Sequence, residues 1–201
     1  MYTMRNSSIF SRLVVNESGI VERLTWHDRD RRWVGFWSAP KDKCDYYNQC
    51  GEYGNCNPHD LGEFECTCLP GFEPKLAHDW YLTDGSGGCK RKRAGDTCRN
   101  GEGFVMLTDA KLPDTSDARV DMSLGLKECE EMCLENCNCT GYASADVRGR
   151  GSGCMTWYGK VVDTREFSNG GQDIHIRVDA AELSMPSISL LSFVVITCSL
   201  I

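Results

Sequence analysis

The sequence predicts a chain of small disulfide-stapled modules: a β-hairpin segment, a crosslinked central module, and an α+β module with one helix on an antiparallel sheet. Three observations predict it. Thirteen cysteines occur in 201 residues, and twelve of them lie between Cys44 and Cys154. The 41% apolar content is spread among 20 glycines, which does not suit one large core. A helical apolar period occurs near residue 126, whereas several stretches alternate as strands do.

Residues 8–38 read as β-hairpins: SIFSRLVV, a turn at Asn16-Glu17-Ser18-Gly19, IVERLTWH, a charged turn DRDRR, and WVGFWS. Leu24, Trp26, Trp33 and Trp37 would supply a half-buried aromatic face. From Cys44 to Cys89 glycines and prolines punctuate closely spaced cysteines, so crosslinks replace a core there. Lys90-Arg91-Lys92-Arg93 reads as an exposed basic linker, because a nuclear protein would not keep twelve paired cysteines.

GFVMLTDAKL at 103–112 is predicted as a strand, and DTSDARVD as a polar loop. In SLGLKECEEMCLENC, Leu126, Cys129 and Cys133 share one face of a short helix, with Ser123 or Asp121 available as its cap. TGYASADV, SGCMTWYGKVV and QDIHIRVD follow as strands. In the last, Ile174, Ile176 and Val178 alternate with His175 and Arg177.

A net charge of −7 argues against a nucleic-acid partner, since such proteins displace counterions with positive charge. Cysteines at this density persist as disulfides in an oxidising compartment. Three N-x-[ST] sequons, at Asn6, Asn16 and Asn138, point to the same secretory route. Zinc is not expected, because no paired C-x2-C knuckle or C-x2-C with H-x3-H occurs.

No enzyme pattern is present. His27, His59, His78 and His175 are scattered, and there is no G-x-S-x-G elbow, H-E-x-x-H pair or P-loop. Gly149-Arg150-Gly151-Ser152-Gly153 opens no helix of a βαβ unit and reads as a turn. No catalytic residue, cofactor or metal is therefore expected.

The first twenty residues hold no apolar run long enough for a signal-peptide core, so the natural start is expected upstream. Ser187 to Ile201, SISLLSFVVITCSLI, is uncharged and apolar. As a helix it would reach roughly 22 Å against a roughly 30 Å hydrocarbon layer, the expectation for a truncated membrane span.

The central run CDYYNQCGEYGNC at 44–56, followed by Cys66-Thr67-Cys68-Leu69-Pro70-Gly71-Phe72, resembles an EGF-like module. Gly71 would take a turn conformation that a side chain forbids, and Phe72 would pack on the neighbouring crosslink. Ala39-Pro40-Lys41-Asp42-Lys43 lacks the acidic pattern of calcium-binding EGF modules, so no calcium site is implied. CEEMCLENCNCTGYA at 129–143, with Gly151-Ser152-Gly153-Cys154-Met155-Thr156-Trp157, resembles the PAN/apple module of plant receptors. Together with FWSAPKDKCDYYNQCGEYGNC at 36–56, the order resembles the extracellular region of S-locus glycoproteins and G-type lectin S-receptor-like serine/threonine kinases.

The resemblance implies an organisation: 1–40, the end of an S-locus glycoprotein domain; 41–89, EGF-like; 90–97, basic linker; 98–179, PAN/apple; 187–201, membrane segment. It implies the disulfides Cys44–Cys56, Cys50–Cys66 and Cys68–Cys89. In the PAN/apple module it implies Cys129–Cys154 and Cys133–Cys139, with Cys98 and Cys137 as the remaining pair.

The function implied is extracellular recognition, of pollen or in defence, at the plasma membrane or in secreted form. The implied partners are a peptide or protein ligand and related receptors, the latter by homo- or hetero-association. Arg148 and Arg150, on the glycine-rich loop, are candidate contact residues. Two alternatives accompany this reading. In one, the chain belongs to a longer receptor serine/threonine kinase whose catalytic domain lies elsewhere. In the other, it is a non-signalling decoy glycoprotein.

Overall fold

The computed structural model describes residues 9–59, 64–93, 98, 101–148 and 151–184. The N-terminal strands β1 (Ser11–Val15), β2 (Val21–His27) and β3 (Arg32–Ala39) form an antiparallel three-stranded sheet. The first turn is set by Asn16, whose Oδ1 accepts from the Ser18 and Ile20 amides at 3.0 Å each, an Asx arrangement that competes with strand extension. Trp26 and Trp33 meet edge-to-face at 5.5 Å. Trp37, expected half-buried, is exposed with its neighbour Phe36.

After a 3₁₀ turn at Lys43–Asp45 come β4 (Gly54–Cys56), β5 (Cys66–Cys68), β6 (Phe72–Pro74), helix α1 (Ala77–Tyr81) and β7 (Cys89–Arg91). Strands of three residues cannot display a period, which is why this region read only as crosslinked loop. Gly71 adopts φ +80, and Phe72 is buried with Cys89 and stacks on Tyr53 at 4.4 Å.

The remaining elements are β8 (Gly103–Lys111), β9 (Arg119–Asp121), α2 (Leu126–Glu135), β10 (Cys139–Asp146), β11 (Ser152–Tyr158), β12 (Thr164–Glu166), β13 (Gln172–Val178) and α3 (Ala180–Leu183). The cap of α2 is Gly125, whose amide donates to Glu128 Oε2 at 2.6 Å; Asp121 instead accepts from Ser123. The part of DTSDARVD expected to be loop contains β9.

The central and C-terminal segments do not form independent modules. One eight-stranded sheet runs β5-β4-β12-β8-β13-β10-β11-β9, and β12 pairs in parallel with β4 while pairing antiparallel with β8. The antiparallel sheet expected of the α+β module is thus mixed, and it extends into the crosslinked segment. Side chains clamp the seam. Glu166 accepts from Asn55 at 2.6 Å and Asn57 at 2.7 Å, Asp163 accepts from the Asn48 amide and pairs with Lys111, and Arg165 pairs with Asp42 and Asp45.

The two faces of the sheet have different covers. Ile174, Ile176, Ala143 and Trp157 form the main core with Leu69, Phe72 and Cys89 of the crosslinked segment. Each large side chain so buried contributes roughly 1.5–3 kcal/mol. The opposite face carries Tyr142, Cys154 and Phe104 beneath α2, whose buried Cys129 and Cys133 complete a second cluster. Gly141 permits the close approach of β10 to β13, since a Cβ there would lie 2.7 Å from the His175 carbonyl oxygen.

The basic run is not a free linker from residue 90. Lys90 and Arg91 belong to β7, Arg91 stacks over Phe72, and Lys92 and Arg93 pair with Glu182 at 3.0 Å and Asp179 at 2.7 Å. Asp179 also caps α3. Among the described residues no helix is long and apolar enough to cross a membrane, and the expected membrane segment at 187–201 lies outside them.

Candidate functional site

Six disulfides join Cys44–Cys56, Cys50–Cys66, Cys68–Cys89, Cys98–Cys137, Cys129–Cys154 and Cys133–Cys139. Three of these fix the PAN/apple-like segment: Cys129–Cys154 ties α2 to β11, Cys133–Cys139 ties it to β10, and Cys98–Cys137 fixes the chain beyond it. The sulfurs of Cys50, Cys56 and Cys66 cluster within 4.8 Å, but all three are oxidised and offer no thiolate to a metal.

The sequons sit in different settings. Asn6 lies outside the described residues, and Asn16 is in the β1–β2 turn. Asn138 is exposed, while the Thr140 hydroxyl of the same triplet is buried and donates to the Gly159 carbonyl at 2.7 Å. Arg148 is exposed and turned onto its own loop, donating to both carboxylate oxygens of Asp146 at 2.6–3.0 Å. Arg150 lies outside the described residues.

Beneath the C-terminus of α2 sits Arg177, 1% exposed. Its Nη1 donates to the carbonyls of Cys133, Asn136 and Cys139, and its Nη2 to the Leu134 carbonyl and to Glu102 Oε1 at 2.7 Å. The last turn of α2 holds no basic residue of its own. A guanidinium from β13 therefore satisfies its orphan carbonyls and opposes the negative end of its dipole.

Beyond the N-terminus of α2 the same sheet face is uncovered and forms a groove of about 430 Å3. Met106, Ser144, Asp173 and His175 reach it from β8, β10 and β13, and Val147, Leu126 and Asp109 edge it. His175 stacks flat on Tyr142 at 4.5 Å. Burial lowers the pKa of His175 and, with the charge of Glu130, raises that of Tyr142. Sequence reasoning placed His175 on the polar side of its strand but did not find the groove, because residues distant in sequence meet there only once the sheet has formed.

A polar contact across the seam is pH-sensitive. Asp114 accepts from the Ser116 amide at 2.8 Å and from the Tyr47 hydroxyl at 2.7 Å, and its pKa is lowered to about 2, chiefly by Ser116 and then by Tyr47. A depressed carboxyl contributes stability that is present above its unfolded pKa of about 3.9 and is lost as pH falls through the folded value. Stability should decline from about pH 4 towards pH 2, and less steeply in Asp114→Asn. Chemical denaturation at a series of pH values checks this; identical slopes for the two proteins would contradict it.

The S-locus glycoprotein domain matches residues 1–76, and the PAN-like domain matches residues 98–164. A G-type lectin S-receptor-like serine/threonine-protein kinase of Arabidopsis thaliana is 48% identical over 91% of this chain and 22% of its own length. The Arabidopsis kinase of that type named RKS1 is 49% identical over the same shares. S-locus-specific glycoprotein BS29-2 of Brassica oleracea var. alboglabra is 44% identical over 90% of this chain and 41% of its own. The chain thus spans about a fifth of the length of the kinases and about two fifths of that of the glycoprotein. With a match to the S-locus glycoprotein domain and a match to the PAN-like domain after it, the chain is similar to the extracellular receptor-type region of G-type lectin S-receptor-like kinases and to S-locus glycoproteins.

Proposed function

We propose that the chain recognises a peptide or protein ligand outside the cell, or pairs with a related receptor, through its PAN-like module. The carrying observation is the crosslinked, continuous sheet that joins residues 44–68 to the PAN-like strands. Such a surface loses little conformational entropy on association, and rigidity of this kind favours binding. On this reading residues 1–40 are the end of the S-locus glycoprotein domain, 41–89 are EGF-like and 98–179 are the PAN/apple module. Asn6, Asn16 and Asn138 carry glycans. Residues 187–201 contact the membrane, and the protein works at the plasma membrane or in secreted form, in pollen recognition or defence.

A second reading is favoured by the names of two relatives: the region belongs to a receptor serine/threonine kinase whose phosphotransfer is done elsewhere in that protein. A full-length transcript with kinase-coding sequence establishes it.

The recognition reading predicts self-association, or binding to a related receptor, when the full chain is secreted from a eukaryotic host. Sedimentation across concentrations, and capture by co-expressed receptors of the family, measure it. Strict monomer behaviour at high micromolar concentration, with no capture, leaves the decoy reading as the better account.

A further inference from the structure

Acidic groups at the seam of this molecule have cations or amide donors. Asp42, Asp45, Asp163 and Glu166 are all engaged there, and Glu52 pairs with Lys75 and Lys160. The groove at the open end of the PAN-like sheet is different. Asp109 and Asp173 line it, and among the described residues neither carboxylate makes a hydrogen bond or ion pair, while the Asp109 backbone carbonyl accepts from the Phe167 amide at 2.8 Å. Arg148, on the loop beside it, is already neutralised by Asp146. His175, with Nδ1 unpartnered, is kept neutral by burial and adds no positive charge near pH 7.

The apolar part of the lining is exposed as well. Met106 is 52% and Val147 56% exposed. Unbranched, polarisable Met adapts to the methylene stem of a long side chain, and Lys and Arg lay such stems on apolar surface while the charged head seeks an anion. The first turn of α2 offers no competing anion site, since Glu128 occupies its cap.

We propose that this groove seats a lysine or arginine side chain of a polypeptide partner, its cation facing Asp109 and Asp173 and its stem on Met106 and Val147. The inference rests on the recognition reading above and names the chemistry the partner must present: a basic residue flanked by apolar ones. Ser144 and the Gln172 side chain, which donates to the Ser144 carbonyl at 3.5 Å, border the site as further polar groups.

The test uses the full chain with 13C-methyl methionine, the Met106 signal being assigned with Met106→Leu. The probe is acetyl-Leu-Arg-Leu-amide, compared with its citrulline counterpart, which keeps the shape and removes the charge. The expected result is a saturable Met106 shift with the arginine peptide, roughly tenfold tighter than with citrulline, and weakened by added salt. Asp109→Asn and Asp173→Asn should each weaken binding roughly threefold, with thermal unfolding unchanged because both positions are exposed. Equal affinity for the two peptides, or variants that bind as tightly as the parent, overturns the assignment. Self-association measured on the same samples separates the two readings. If association is kept without an arginine-selective shift, the groove assignment alone fails; if neither is seen, both fail.

Discussion

Replacing Arg177 by alanine should destabilise the PAN-like segment by about 3–5 kcal/mol, the range for a buried ion pair that loses one member. The guanidinium is the shared partner of four carbonyls and of Glu102, itself buried. Alanine would leave those carbonyls without their donor and weaken the end of α2, as well as removing the cation opposite a buried carboxylate. Tm should fall on the order of 10 °C for a chain of this size. Arg177→Lys keeps the charge but cannot reach four carbonyls and a carboxylate at once, and should fall between alanine and the parent. Denaturation followed by tryptophan fluorescence reads the effect through Trp157, which lies on the same sheet. A loss below about 1 kcal/mol would mean that Arg177 is a bystander.

Removing the bridge between Cys129 and Cys154 by a double change to alanine should cost about 3.5 kcal/mol, from the chain-entropy treatment of a loop closed across 25 residues. Both sulfurs are buried, at 0% and 1% exposure, so a cavity adds to the loss. The structural result should be local: α2 separates from β11 while the seam at β4 and β12 persists. Hydrogen exchange distinguishes the cases, with α2 amides losing protection before those of β12. Uniform loss of protection, or a change under 1 kcal/mol, would sink the idea that this bridge pins the helix.

The long strands and the hairpins were legible because their signals are local. Asn16 and Gly19 mark a turn, and Ile174, Ile176 and Val178 alternate over enough positions to identify a face. The short strands β4 and β12 were not legible, because their mutual pairing joins positions about a hundred residues apart, and β5, which pairs with β4 only about a dozen residues away, is too short to show a period. Arg177 misled for a related reason. In an alternating strand an arginine between Ile176 and Val178 looks solvated, and its burial depends on the carbonyls that α2 brings above it. The Gly125 cap was missed because the capping carboxylate, Glu128, lies inside the helix rather than before it. Asp109 and Asp173 carried no pattern of their own; what marks them is that among the described residues no cation pairs with either carboxylate, a property of the folded surface.

The parallel pairing of β12 with β4 has a consequence for exchanging parts between related receptors. A crossover placed near residues 90–97 divides the sequence between two cysteine frameworks, yet it cuts through one sheet. In a hybrid joined there, β12 of one parent must meet β4 of the other, and Glu166 must find both Asn55 and Asn57. The unit of inheritance for this architecture is therefore the span from the first seam residue, Asp42, to Glu182 of α3. Specificity transplanted in smaller pieces carries its own misfit.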